Sequence, residues 1–153
     1  LSDPTLLNYI DRAFRSFELA CIHVDDFSDT DHREIFKLLK ESIDQEAEEP
    51  LNFIHERLSA EMKEAFTENT PEETYPDWRL QPTDPKLEAL VRTFIRLRRV
   101  RIDEGLDQLV FLQTQERDES GEFSIDVKKT ALEYIQVRAK LDHALQQSFA
   151  RAK

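Results

Sequence analysis

Four histidines, one cysteine and several acidic clusters are the side chains here whose chemistry deserves a test. His23, His32, His55 and His143 include no His-x-x-x-His pair, the spacing that sets two imidazoles on one helical face. A carboxylate-bridged metal bundle needs paired Glu-x-x-His motifs on facing helices. Only Asp29-x-x-His32 approaches that pattern, and it lies where a helix begins. The carboxylates at Asp25-Asp26, Asp29/Asp31 and Glu46/Glu48/Glu49 lack the apolar neighbours that raise a pKa for acid–base work, so they read as solvated helix ends. Cys21, in the apolar run Leu19-Ala20-Cys21-Ile22, reads as a buried, inert thiol. A single cysteine excludes a disulfide within the chain and a cysteine zinc site. No Gly-x-x-x-x-Gly-Lys-Ser/Thr or Gly-x-Ser-x-Gly motif occurs. The expectation is a module without catalytic, cofactor or metal residues.

One basic cluster breaks the acidic background. Arg92, Arg96, Arg98, Arg99 and Arg101 fall within ten residues and circle a helix without forming a single stripe. Either they pair with neighbouring Glu and Asp, or they anchor an acidic segment of another protein. A net charge of −11 argues against a general grip on nucleic acid, which needs a basic surface.

The elements that position these residues are helical. With 153 residues the chain suffices for one domain. Its two glycines, Gly105 and Gly121, are too few for an all-β or Rossmann-type fold. Charged residues make up 35% and interleave with apolar ones, as on amphipathic helices. Asp3-Pro4 predicts a helix start, with Leu6, Leu7, Ile10, Phe14 and Phe17 on one face through about residue 20. Ser28 is the expected cap of a second helix running to about Glu46, with Asp31 as capping partner and Phe27 folded over the first turn. Its apolar face is Ile35, Phe36, Leu39 and Ile43. Pro50 opens a short helix with Leu51, Phe53, Ile54 and Leu58, and Ser59 another with Met62 and Phe66. Pro71, Pro76, Pro82 and Pro85 exclude helix from most of 70–85, where Tyr75 and Trp78 are expected to hold a loop against the bundle.

A long helix is then predicted over 85–117, with Gly105 marking a bend or a close packing contact. A turn over 117–122 leads to a second long helix from Ser124 or Asp126 to about Ala150. Two long helices joined tightly must lie antiparallel. The predicted fold is all-α: a bundle over 1–98 and a helical hairpin over 99–153, sharing the long helix. Tyr134, Leu141, Leu145 and Phe149 mark one face of the last helix, where they either zip the hairpin or stay available to another protein. No segment is long and apolar enough to span a membrane and no signal peptide is evident, so a cytoplasmic protein is expected.

The string Asp26-Phe27-Ser28-Asp29-x-x-His32-Arg33-Glu34-Ile35-Phe36 resembles one in the C-terminal, helicase-binding domain of bacterial DNA primase. Leu90-Val91-Arg92-Thr93-Phe94-Ile95-Arg96-Leu97-Arg98 is similar to the start of that family's long helix, and Leu141-Asp142-His143-Ala144-Leu145 to its closing turns. The resemblance spans essentially the whole chain. It implies a non-catalytic domain of the priming enzyme that docks its hairpin, through Tyr134, Leu141, Leu145 and Phe149, on the N-terminal domain of the replicative helicase. It also implies that the five arginines meet the acidic tail of single-stranded-DNA-binding protein. The family carries a further apolar helix ahead of Pro4; without it, uncovered bundle surface or the hairpin would favour a homodimer. A related string occurs in the helicase's own N-terminal collar, an oligomerisation module, which is the alternative. A helical adaptor unrelated to replication is a third reading.

Overall fold

The computed structural model describes residues 4–45, 47–69, 85–115 and 125–151, and these are all-α. Six helices follow in order: α1 (Pro4–Ser16), α2 (Thr30–Asp44), α3 (Pro50–Arg57), α4 (Ala60–Asn69), α5 (Pro85–Gln115) and α6 (Ile125–Arg151). The expected loop over 70–84, with Tyr75 and Trp78, and the turn over 117–122 lie outside the described residues.

Helix α1 buries Leu7, Ile10 and Phe14, spaced three and four apart. It stops at Ser16, short of the expected residue 20, because Glu18 takes a left-handed conformation with φ 57°. The amides of Glu18 and Leu19 donate to the carbonyls of Arg15 and Phe14, which closes the helix end, and Leu19 turns into the core. A short 3-10 turn over Val24–Asp26 leads to α2.

The cap of α2 is Asp29, not Ser28. One carboxylate oxygen of Asp29 accepts the amides of Asp31 at 2.8 Å and His32 at 3.2 Å. Its charge suits the positive end of the helix better than a hydroxyl would. Those two bonds, His32 foremost, hold the Asp29 pKa below the ordinary carboxylate range. Phe27 packs on Phe36 of α2, with ring centroids 5.0 Å apart, and edge-on to Phe94 of α5 at 6.3 Å. Helix α2 ends at Asp44 rather than Glu46, and the Gln45 side chain closes the connection by receiving the amides of Ala47 and Glu48. Pro50 opens α3, which buries Ile54 against α2.

A single core joins Leu7, Ile10 and Phe14 of α1 with Phe36 and Leu39 of α2, Ile54 of α3, Val91 and Ile95 of α5, and Leu141 and Ala144 of α6. Helix α5 passes residues 98–99 unbroken, and α6 returns to that core, so the base of the hairpin belongs to the bundle.

Candidate functional site

At 31 and 27 residues, α5 and α6 run about 46 and 40 Å at 1.5 Å per residue. Their pairing is antiparallel: Arg99 meets Asp142 at 2.7 Å and Asp103 meets Arg138 at 3.1 Å. Arg99 Nε and Asp103 Oδ1 lack the alignment of a hydrogen bond, so these are charge contacts rather than directed bonds. On α6 the seam is Thr130, Tyr134, Val137, Leu141, Ala144 and Ser148, spaced three and four apart and all shielded in part or fully.

Gly105 is a close packing contact. A Cβ placed there would lie 2.3 Å from Cε2 of Tyr134, so the ring rests directly on the α5 backbone. Tyr134, expected at a partner interface, is therefore half-buried in the seam. Leu141 is 0% exposed, and Leu145 packs against the core. Leu141 is thereby closed to a partner, and Tyr134 and Leu145, half-buried, zip the hairpin to itself and to the bundle, the first of the two readings open to these positions. The Phe149 side chain lies outside the described ones.

Apolar side chains do reach the surface, at other positions. Leu132 and Ile135 of α6 are 56% and 54% exposed, and Val110 and Phe111 near the end of α5 are 57% and 59% exposed. Val100 and Leu112 are also exposed, and every large exposed hydrophobic among the described residues sits on these two helices. Sequence reasoning followed the seam and missed them. A signal was present, because Leu132 and Ile135 fall between seam positions, where a solvated helix carries polar residues.

Of the five arginines, Arg98 is turned inward, Arg96 is exposed and the other three are half-buried. Arg98 is buried: Nε donates to Asp26 Oδ1 at 2.6 Å, and Nη2 donates to Asp26 Oδ2. Its remaining N–H groups reach the carbonyls of Ala20 at 2.6 Å and Cys21 at 2.8 Å, and the guanidinium lies over the Phe14 ring. The fork thus fastens the turn after α1 to α5, and Asp26 in turn accepts the amide of His23. Arg99 faces Asp142, and Arg101 donates to Glu104 at 2.6 Å and to the Asp25 carbonyl at 3.2 Å. Arg92 and Arg96 also have partners in the fold. Arg98 is unavailable as an anchor for an acidic tail, and the cluster forms no single surface.

The histidines are dispersed. His23 caps the 3-10 turn, His32 stands 3.8 Å from Asp29, His143 contacts Gln147, and His55 is exposed on α3. Among the described residues no three His, Cys, Asp or Glu side chains converge as a metal site would require. Cys21 is half-buried rather than buried, with Arg15 Nε donating to its Sγ at 3.3 Å. That contact raises the Arg15 pKa above its ordinary value. Among the described residues no helix is long and apolar enough to cross a membrane.

Charge divides along the chain. Residues 4–69 carry sixteen acidic and seven basic side chains, whereas α5 and α6 together carry eleven basic and seven acidic. The hairpin itself, residues 99–153, is close to neutral, with nine basic and ten acidic side chains, and it carries apolar groups on its outer surfaces. No known family, curated protein or solved structure matches the chain.

Proposed function

We propose that this chain is the helicase-interaction domain of a bacterial DNA primase, a cytoplasmic, non-catalytic module that tethers the priming enzyme to the N-terminal domain of the replicative helicase. The observation that carries the reading is the set of exposed apolar side chains on the hairpin: Leu132 and Ile135 on α6, Val110 and Phe111 on α5. Scattered exposed apolar residues are ordinary on a protein surface, whereas their concentration on these two helices is what a docking surface for another protein would use. Docked on another helical surface, they contribute binding energy. The primase-like string from Asp26 to Phe36, together with the bundle-then-hairpin order, supports the replicative helicase as that partner.

The arginines expected to anchor an acidic tail are engaged within the molecule, so the hairpin is the site of the proposal. Isothermal titration of the domain against the helicase N-terminal domain of the same organism tests it. Saturable binding at micromolar affinity or tighter is expected. A folded domain that gives no heat would remove the reading, and concentration-dependent ring formation would replace it with the helicase collar.

A further inference from the structure

We infer that the outward stripe of α6, formed by Leu132, Ile135 and Ala139, receives a partner helix whose own apolar stripe is bordered by carboxylates. This deepens the proposed function and rests on it for the partner's identity. The face itself follows from the geometry. Leu132, Ile135 and Ala139 stand three and four residues apart, so they align along one side of the helix, and all three are exposed. The seam positions that interleave with them, Tyr134, Val137 and Leu141, point the other way, into α5 and the core. The stripe is thus a second apolar face on a helix that has already used its first.

The charges beside the stripe select the occupant. Lys128 stands at its head, Lys129 and Lys140 along one edge, and Arg138, which also meets Asp103, along the other. Glu133 stands between Lys129 and Lys140 on their edge, and Asp142, paired with Arg99, stands beside Arg138 on the other. A second copy of this chain suits the stripe poorly. In an antiparallel two-fold pairing, Lys129 and Lys140 of both copies would line the same edge. In a parallel one, Lys140 would face Arg138 and Asp142 of the other copy, each already paired within that copy. The first symmetry sets bases against bases, and the second offers the lysines no uncommitted carboxylate. A helix with Glu or Asp along the edge of Lys129 and Lys140 meets opposite charge there and still buries Leu132 and Ile135.

The test titrates the helicase N-terminal domain with the wild-type chain, Leu132→Asp/Ile135→Asp and Lys129→Glu/Lys140→Glu. Circular dichroism and melting confirm that each is folded, as expected for exposed positions. The apolar double variant should weaken binding by about 30-fold or more, as loss of a central interface contact does. The charge variant should bind about 10-fold more weakly and lose most of the salt dependence of the wild type. Wild-type affinity in the apolar double variant would overturn this face while the helicase reading stands. No binding by the wild-type chain would remove the helicase reading and this inference with it. A wild-type dimer abolished by Leu132→Asp/Ile135→Asp would overturn the choice of occupant in favour of a second copy.

Discussion

Replacing Arg98 by methionine separates a structural arginine from one that waits for a partner. The side chain is 9% exposed and its partner Asp26 12% exposed, with four donor–acceptor pairs between the guanidinium and Asp26, Ala20 and Cys21. Methionine fills much of the volume over Phe14 but leaves the Asp26 carboxylate and two carbonyls without those donors. Removing one partner of a buried ion pair costs about 3–5 kcal/mol, because the other charge stays buried and uncompensated. Against a total stability of about 5–15 kcal/mol for a domain of this kind, that is a large share. In urea, with a slope of about 2 kcal/mol per molar, the unfolding midpoint should fall by about 2 M. Arg98→Lys should recover only part of the loss, since a single ammonium cannot span Asp26 and both carbonyls as the fork does. The double variant Arg98→Met/Asp26→Leu should be more stable than Arg98→Met alone, because neither charge is then stranded. A cost below about 1 kcal/mol for Arg98→Met would refute the burial argument and return this arginine to the surface.

Two further perturbations probe the helix pairing and the start of α2. Gly105→Ala should destabilise by about 1–2 kcal/mol through collision with the Tyr134 ring, yet stabilise by up to about 1 kcal/mol in a Tyr134→Ala background, where only helix propensity remains. The same sign in both backgrounds, read from chemical denaturation, would mean that the ring does not rest on that glycine. The lowered pKa of Asp29 makes the start of α2 sensitive to acid. Because the folded value lies below the unfolded one, this contribution is present above the unfolded pKa of about 3.9 and disappears as pH falls through the folded value. Asp29→Asn keeps an acceptor oxygen but cannot titrate, so its stability should vary less with pH across that acidic window. An unchanged slope would place the acid sensitivity at other carboxylates.

The order of helices was legible because burial repeats at three and four residues and because Pro4, Pro50 and Pro85 each open a helix. Local competition blurred the ends. Ser28 and Asp29 are both good caps, and the choice turned on which side chain reached two amides rather than on residue type. Helix α1 ended early without a glycine to mark the left-handed turn, because Glu18 adopts it and Leu19 gains a place in the core. Gly105 carried a visible signal, but its partner Tyr134 depended on how α6 is registered against α5.

The candidate site was harder to read, for a reason specific to hairpins. A helix in a two-helix pairing has a seam and an outer surface, and periodicity alone names the larger apolar stripe without saying which partner covers it. On α6 that stripe, including Tyr134 and Leu141, is consumed inside the molecule. The residues with exposed apolar surface are those the same periodicity treats as exceptions, Leu132 and Ile135. Arg98 shows the converse for charge: a residue in a run of arginines looks solvated until a carboxylate 72 positions away is brought beside it. In both cases long-range packing decides which groups are already occupied, and recognition falls to those left over. The outward stripe of α6 is accordingly a stronger docking candidate than the residues of highest helical periodicity, because its burial is the term that the chain's own folding leaves unused.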